Sequence, residues 1–289
     1  MGALDFLYNI TPQWPFASQD EQPEQQVSKS SGCPVEHSFS KSSGGCPVDH
    51  SNLNVNILPP HVVTHSATPE DIKFKAAASR QVPGIGQSVD PAIIDSLDLS
   101  GRLHDHQHLV ASPYTDRDHL LDLTTLARPH QLLAKSLTIM NANTTDYAIE
   151  PYDEAFNWDD VLLALRKLST RENYNFPRSE FYIIVFRSRL PFDADRTHLG
   201  KLDKDAHLEA VESGQLLKYW FGTPHPETGR NLATCIWRHR DDAKKGGAGP
   251  GHVRAMEAVR NIYLEWRVER LKFVIEDGAS SWSISKWID

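Results

Sequence analysis

The chain has 289 residues and a formal charge of −8, which allows one large folded domain or two small ones. The acidic balance and the lack of a basic stripe argue against a protein that grips nucleic-acid phosphates. No apolar run approaches the ~20 residues of a membrane span, so no membrane span is expected. Residues 1–16 contain no lysine or arginine, unlike secretory or transit peptides. We therefore expect a soluble, cytoplasmic protein whose three cysteines stay reduced.

The first quarter of the chain has the composition of a disordered tail. Residues 17–56 are mostly Ser, Gln, Glu, Pro, Gly and Asn, with too few aliphatic residues to offset the entropy of ordering. We assign residues 1–67 to this tail. Thr68 and Pro69 then supply an N-cap and a first-turn proline, which predict a helix to about Ser79. Residues 68–130 are expected to be this helix and an irregular connector.

From residue 131 to residue 289 the pattern predicts an α+β domain. Residues 133–140 are expected to form a strand. Asn157 is expected to cap a helix with two acids in its first turn. The apolar positions of that helix recur at helical spacing: Trp158, Val161, Leu162, Leu165 and Leu168.

The clearest run of elements lies between residues 181 and 276. Residues 181–187 begin with six apolar side chains, which is typical of a strand buried on both faces. A helix ended by Gly214 follows, with apolar positions Leu199, Leu202, Ala206 and Ala210. Strands are predicted at 216–221, 232–237 and 271–275, with an edge strand at 282–287. The last helix should present Met256, Val259, Tyr263 and Trp266 on one face.

This order is β-α-β-β-α-β, the ferredoxin-like unit. We expect an α+β fold with an antiparallel sheet, its two helices on one face, and the preceding strand and helix as an extension. A homodimer through the sheet is an expected partnership.

A short sequence occurs twice in the tail. Lys-Ser-Ser-Gly-Cys-Pro-Val-Glu-His-Ser at 29–38 returns at 41–51 with one added glycine and aspartate for glutamate. Cys33 and Cys46 hold the same place in the two copies, and His37 and His50 follow four residues later. Because proline removes a backbone donor and favours extended geometry before it, each thiol should project from a stiff, open segment.

Thiolate and imidazole are axial ligands of haem iron. The repeats therefore predict a haem site in which the thiolates of Cys33 and Cys46 bind the iron and His37 and His50 are possible ligands on the opposite face of the haem. The same four side chains form a Cys₂His₂ set that suits zinc, although the loop between the pairs is short and offers only Phe39 to pack on a metal knuckle. A disulfide between the two cysteines requires an oxidising compartment. A duplicated linker that binds nothing is the remaining interpretation.

These repeats resemble the Cys-Pro haem regulatory motifs of haem-sensing proteins. They are especially similar to the Ser-Gly-Cys-Pro-Val segments in the tails of fungal cytochrome c haem lyases. The likeness covers about ten residues per copy and does not extend to the body of the chain. It implies a haem-binding or haem-responsive protein rather than a lyase, and this is the leading functional hypothesis.

A glycine-rich segment precedes the last predicted helix. Glycines at a helix start can expose N–H groups to an anion, and Lys244, Gly247 and Gly249 match the basic and glycine positions of such a loop. The segment resembles the acyl-CoA loop of acetyltransferases, although no Asn-x-x-Ala-x-x-Tyr follows the next strand. The resemblance implies an anion or coenzyme A site and an acyl-CoA-dependent N-acyltransferase as one alternative.

Other polar side chains have several interpretations. His104, His106 and His108 would share one face of a strand, as metal ligands do, but surface histidines are commoner. His207 and His252 are candidates for a pocket between helices and sheet, or for structural histidines. Four arginines at strand ends could receive a carboxylate or a phosphate, or could pair with Asp241 and Asp242: Arg187, Arg189, Arg238 and Arg240.

The body also resembles known families. The segments Tyr-Ile-Ile-Val-Phe-Arg-Ser at 182–188, Leu-Leu-Lys-Tyr-Trp-Phe-Gly at 216–222 and Asn-Leu-Ala-Thr-Cys-Ile-Trp-Arg at 231–238 are similar to an uncharacterised fungal family. The element order is similar to the dimeric α/β-barrel proteins. That resemblance implies a small-molecule oxygenase or lyase as the second functional hypothesis, without transferring catalytic residues.

Overall fold

The computed structural model describes residues 62–63, 86, 89, 108–114 and 116–288. The two Cys-Pro-Val repeats lie outside the described residues, as do the helix expected from Thr68, His104 and His106. Within the described part, Val62–Val63, His108–Leu109 and Leu121–Asp122 form a small antiparallel sheet.

A five-stranded antiparallel sheet forms the centre of the molecule. Its strands are β1 (Ser179–Arg189), β2 (Leu216–Phe221), β3 (Arg230–Trp237), β4 (Glu265–Ile275) and β5 (Trp282–Lys286). The order across the sheet is β2-β3-β1-β4-β5, with β1 and β4 paired along eleven residues. The first four strands have the ferredoxin-like order, which confirms the predicted fold class.

Six helices accompany the sheet in the described residues. They are α1 (Arg128–Ser136), α2 (Tyr152–Ala155), α3 (Trp158–Arg171), α4 (Arg196–Gly214), α5 (Arg240–Gly246) and α6 (Pro250–Ile262). Four short 3₁₀ turns complete the set: Arg117–His119, Leu123–Thr125, Leu137–Ile139 and Asp277–Ala279. Among these described helices, none has both the length and the apolar character needed to cross a bilayer.

The two faces of the sheet have different neighbours because side chains alternate along each strand. In β1, Phe181, Ile183 and Val185 join the large core that contains Leu132 and Leu165 of α1 and α3. The next residues along the strand point the other way, toward α4, α5 and α6, where Tyr182 packs with Ala210 and Ala243.

Helices therefore cover both faces of the sheet: the two helices of the ferredoxin-like unit, α4 and α6, lie on one face as expected, and the other face is covered as well. The second layer is formed by α1 and α3, and the described part of the predicted connector packs there through Leu109, Leu121 and Leu126. Because both faces are covered, the expected homodimer would have to pair through an edge strand, β2 or β5.

Three local predictions are corrected. Residues 133–140, predicted as a strand, belong to α1 and the turn Leu137–Ile139. Asn157 does precede α3, but its side-chain oxygen accepts from the N–H of Asn141 at 2.7 Å instead of capping the helix. Trp266 lies on β4, because α6 ends at Ile262. The other strands and helices predicted between residues 157 and 287 are confirmed, although the strand predicted at 271–275 begins six residues earlier, at Glu265.

Candidate active site

A cavity of about 400 Å³ lies between the sheet and the helices α4 and α6. Its walls are mainly apolar and aromatic, and this volume falls in the range of small-molecule pockets. The sheet contributes the side chains that face away from the large core, including Ile184 and Phe186 of β1 and Ala233 and Cys235 of β3. The alternation of β1 and β3 thus builds a pocket on one face and a solid core on the other.

Helix α4 shows which end of the cavity is closed. Its lining residues begin with Arg196 and Gly200, which are exposed, and end with Ala206, His207 and Ala210, which are buried. The helix rises 1.5 Å per residue, so this wall is roughly 20 Å long. The cavity therefore opens near the start of α4 and closes near its middle.

Asp203 lies in this wall with two tyrosines bound to its carboxylate. The Tyr219 hydroxyl donates to Oδ1 at 2.6 Å, and the Tyr114 hydroxyl donates to Oδ2. All three residues line the cavity. The carboxylate is held by chain segments that are distant in sequence, so its position is fixed by the fold rather than by α4 alone.

The surroundings of Asp203 alter its ionisation and that of its partners. Burial raises the pKa of the Asp203 carboxyl, and the two tyrosine donors oppose that shift. Burial, with the carboxylate nearby, raises the pKa of Tyr114 and of Tyr219, so both hydroxyls stay protonated donors at neutral pH. A carboxylate whose basicity is raised in an apolar cavity is suited to accept a proton.

A pair of histidines closes the deep end beside this carboxylate. Nδ1 of His119 lies 2.8 Å from Nδ1 of His207, so one ring must donate and the other accept. Burial lowers the pKa of His207 to about 3 and also lowers that of His119. Tyr114 packs against both rings, with ring centroids 4.9 Å away in each case. The pair is neutral at physiological pH.

The glycine-rich segment has a different role from the predicted anion loop. Lys244 lies within α5, Gly247 ends that helix and Gly249 caps the start of α6. The N–H groups of Gly251 and His252 donate to the Glu209 carboxylate of α4, so an internal anion already occupies this helix start. A phosphate or coenzyme A at these N–H groups would have to displace Glu209, and the coenzyme A site stays a prediction.

The structure places some of the predicted site residues in the cavity wall and others outside it. His207 and His252 both line the cavity, as expected of pocket residues. The four arginines at strand ends do not contribute to the described lining. Arg187 donates to Glu269 at 2.7 Å and to backbone carbonyls, Arg189 pairs with Glu265, and Arg238 pairs with Asp242, which favours the structural interpretation. Arg240 begins α5.

Metal binding receives no geometric support within the described residues. No group of three His, Cys, Asp or Glu side chains there could hold an ion. Of the predicted ligands, only His108 is described, and it lies in a two-residue strand. The third cysteine, Cys235, is a free thiol in the cavity wall, and burial raises its pKa.

Sequence reasoning missed Asp203, although the sequence carried a signal. Its position falls within the apolar stripe of α4, four residues after Leu199 and three before Ala206. An acid inside an apolar stripe indicates a buried carboxylate rather than a solvated one. Tyr114 and His119 are more than 80 residues away, so no local pattern could join them to it.

The sequence of this structured body matches a known family model. The model described as "PB2B2.08-like" matches residues 110–286. The chain belongs to this family. Its relative in Schizosaccharomyces pombe (strain 972 / ATCC 24843), "UPF0643 protein PB2B2.08", is 37% identical over 217 residues, which are 73% of this chain and 96% of the relative. The predicted resemblance to an uncharacterised fungal family is confirmed, and it extends to the second helical layer.

Three of the solved structures that resemble this chain each cover about a third of it. Rv0793 from Mycobacterium tuberculosis is 16% identical and covers 32% of this chain and 92% of its own, with a TM-score of 0.28. SnoaB from Streptomyces nogalater, a cofactor-independent oxygenase, is 9% identical and covers 32% and 90%, with a TM-score of 0.27. A dimeric ferredoxin-like protein of unknown function from Bacteroides fragilis NCTC 9343 is 16% identical and covers 31% and 93%, with a TM-score of 0.24. Scores this low carry no argument about activity or assembly.

Proposed function

We propose that the chain is an enzyme that removes and returns a proton on a small, mostly apolar molecule bound in the cavity. The observation that carries this proposal is the Asp203 carboxylate, held by Tyr114 and Tyr219 in an apolar wall. An oxygenase or a lyase, the activities expected from the sequence, can begin with such a proton removal. Asp203 is the base, and once protonated it is the acid that returns the proton.

The surrounding groups favour this division of roles. Buried tyrosine hydroxyls cannot themselves take a proton, because their pKa values are raised and they are already protonated. The histidine pair is engaged Nδ1 to Nδ1, and the pKa of His207 is too low for a proton acceptor at neutral pH. His252, which also lines the cavity, is engaged through its Nδ1 by Glu209 Oε2 at 3.0 Å. We therefore assign the base to Asp203, whose basicity is kept high because the apolar walls exclude water.

Hydrogen–deuterium exchange on 2-tetralone tests the proposal. This bicyclic ketone fits a cavity of about 400 Å³, and a general base exchanges the hydrogens beside its carbonyl. The full-length protein in deuterated buffer should accelerate that exchange, as followed by proton NMR. Asp203→Asn should reduce the acceleration at least a hundredfold, because a positioned base contributes about 10²–10⁴.

Asp193→Asn is the matched control. Asp193 is an exposed acid shortly before α4 and does not line the cavity. Its substitution should leave the exchange rate unchanged. An Asp203→Asn protein that folds normally and exchanges 2-tetralone as fast as the wild type would overturn the proposal.

Haem binding by the tail is a second, independent proposal. It is supported by the duplicated Cys-Pro-Val-acid-His sequence, which places Cys33 and Cys46 in identical surroundings. Zinc at the same four side chains is the competing proposal. In either case the tail would bind the group and the body would respond to it or receive it.

Titration of the full-length protein with hemin separates these outcomes. A thiolate-ligated spectrum should appear in the wild type and disappear in the Cys33→Ala/Cys46→Ala double variant. Cys235→Ala is the matched control, because that residue is half-buried in the cavity wall and burial raises the pKa of its thiol. A spectrum that survives in the double variant would remove the thiolate assignment.

A further inference from the structure

Arg196 is a charged side chain at the mouth of the cavity that no acid within the described residues neutralises. It is exposed, and its guanidinium makes no hydrogen bond or ion pair with a described residue. The acid beside it, Asp195, instead caps α4 by accepting from the N–H of His198 at 2.8 Å. Arginine stays charged at physiological pH and presents a planar fork of N–H donors that matches a carboxylate. The mouth of the cavity therefore has a cation that a bound anion can neutralise.

The cavity wall changes from apolar to polar toward this mouth on three elements. On β1, Phe186 is followed on the same face by Ser188, and on β3, Ala233 is preceded by Asn231. These pairs match across the two strands, because Ser188 is the partner of Asn231 and Phe186 is the partner of Ala233. On the third element, α4, the lining begins with Arg196. A cavity that is apolar inside and polar at its opening fits a molecule with an apolar body and one polar end.

The charges at the two ends of the cavity have opposite signs. Arg196 and Asp203 are both on α4, seven residues apart. Seven residues are about two helical turns, so the two side chains share one face of α4 and are separated by roughly 10 Å along its axis. The ionised Asp203 repels an anion from the closed end, whereas Arg196 attracts it to the open end. A molecule with one anionic end is therefore bound with its apolar end first.

We propose that the molecule bound in this cavity is an amphipathic carboxylic acid whose apolar body fills the cavity and whose carboxylate pairs with Arg196 at the mouth. This inference rests on the proposed proton-transfer function and names its substrate class. The hydrogen that Asp203 removes then lies at the end of the molecule opposite the carboxylate. Arg196 determines specificity and takes no part in the proton transfer.

The number of charges at the mouth favours a carboxylate over a phosphate. A phosphate monoester carries nearly two negative charges at neutral pH and has three acceptor oxygens, so it needs several donors. A carboxylate carries one charge, and its two oxygens match the two parallel N–H groups of a single guanidinium. Arg196 alone can therefore satisfy a carboxylate.

A pair of probes that differ in charge tests the inference. 2-Naphthoate and 2-naphthamide have nearly the same shape, but only the first is an anion at neutral pH. Isothermal titration of the full-length protein gives both dissociation constants. The naphthoate should bind about fivefold more tightly, because an ion pair at an open mouth contributes less than a buried one. This preference should shrink at high ionic strength, since salt screens exposed charges.

Variants of two exposed arginines complete the experiment. Arg196→Gln should bind both probes equally, with the affinity for 2-naphthamide within about twofold of the wild type. Arg196→Lys keeps the charge without the planar fork and should retain a preference of about twofold. Arg166→Gln removes the same charge from α3, on the other side of the sheet, and should keep the fivefold preference. Equal affinities in the wild type, a preference that survives in Arg196→Gln, or one that Arg166→Gln also abolishes would each overturn the inference.

The outcomes also separate this inference from the proposed function. Ala233→Phe places a large side chain in the cavity and should abolish binding of both probes. If Ala233→Phe binds them as the wild type does, or the wild type binds neither, the cavity is not the site and both proposals fail. If the wild type binds both equally and Ala233→Phe binds neither, only the carboxylate assignment fails. If the naphthoate preference depends on Arg196 but Asp203→Asn leaves the 2-tetralone exchange unchanged, only the proton transfer fails.

Discussion

Asp203 is held by two hydroxyl donors, and each can be removed by deleting a single oxygen. Only the ionised carboxylate accepts a proton, so the exchange rate should rise with pH through the pKa of Asp203. Burial raises that pKa above the ordinary 3.8, and the half-maximal rate should therefore fall above pH 3.8. Tyr219→Phe removes a donor that lowers the pKa, so the half-maximum should move upward by roughly 0.5–1 pH unit.

Tyr263→Phe serves as the control for that pH profile. Tyr263 also lines the cavity, but it contacts the ring of Trp266, with centroids 4.9 Å apart, rather than the carboxylate. Its removal should leave the half-maximal pH in place. A Tyr219→Phe profile shifted to lower pH, or not shifted, would contradict the role given to the hydroxyl.

At the residue scale the sequence identified part of the site. His207 and His252 were predicted as pocket residues from their places on two helices that cover the sheet, and both line the cavity. Asp203 was detectable only as an acid in an apolar stripe. Trp237 falls at the end of the strand predicted at 232–237, but its lack of an acceptor among the described residues depends on three-dimensional packing that spacing does not encode.

At the scale of elements, residues 111–114 and 116–120 cross α4 and form a segment that we term the α4 strap. Its contacts with α4 include three polar ones: Tyr114 with Asp203, Asp116 with Lys204, and His119 with His207. The strap thus supplies one of the two donors of the proposed base. Its histidine contact is lost when both rings are protonated, because two imidazolium ions 2.8 Å apart have no acceptor and repel each other.

Acid should therefore destabilise the fold through His207. Its pKa is about 3 when folded and 6.5 when unfolded, so the unfolded state binds more protons between these values. The stabilising contribution is complete above pH 6.5 and is lost as the pH falls toward 3. At pH 4.5 this residue alone should lower the free energy of unfolding by about 2–3 kcal/mol.

Urea unfolding at pH 7 and pH 4.5 measures this loss. His207→Phe should show a smaller difference between the two pH values than the wild type. His198→Phe changes an exposed histidine of the same helix and should keep the wild-type difference. An unchanged difference in His207→Phe would show that the acid sensitivity arises elsewhere.

The junction of α5 and α6 contains glycines because Glu209 occupies the space beside it. A side chain at Gly249 would overlap the Glu209 carboxylate. Gly249→Ala should therefore cost about 1–3 kcal/mol of unfolding free energy. Gly200→Ala, at a helical position with nothing within 4 Å, should be neutral or stabilising by up to about 1 kcal/mol. Equal costs for the two substitutions would contradict the close contact with Glu209.

The elements predicted from sequence are those with a clear period. The strand 181–187 and the helix with Leu199, Ala206 and Ala210 were predicted because each buries a regular face. The strand prediction for residues 133–140 was wrong for the opposite reason. This part of the chain is buried on all sides, including Lys135 and Ser136, and a fully buried helix and a fully buried strand give the same apolar run. The first-turn Pro129 of α1 was the available helix signal.

At the scale of the whole molecule, the sheet is the middle of three layers. The α1/α3 layer packs on it through a continuous apolar cluster in which Leu165 is fully buried. Sequence patterns predicted the sheet and its α4/α6 layer, but not that α1 and α3 close the other face. Which face a helix covers depends on contacts between residues far apart in the chain, and periodicity reports only that the helix has an apolar side.

Leu165→Ala tests whether the two helical layers and the sheet unfold together. Removing a fully buried leucine should cost about 2–5 kcal/mol. Tryptophan fluorescence and far-UV circular dichroism should report the same shifted urea midpoint. Leu163→Ala, on the same helix but 39% exposed, should cost much less. Separate midpoints for the two probes would show that the layers unfold independently.

Because side chains alternate along β1, neighbouring positions of this strand have different roles. Ile184 and Phe186 meet whatever occupies the cavity, whereas Ile183 and Val185 hold the three layers together. Relatives that accept a different compound can therefore diverge at positions 184 and 186 without weakening their architecture. One residue inserted into β1 would exchange the two faces of the strand beyond it and turn the Arg187 guanidinium toward the apolar cavity. Insertions and deletions within β1 should therefore be far rarer among relatives than substitutions.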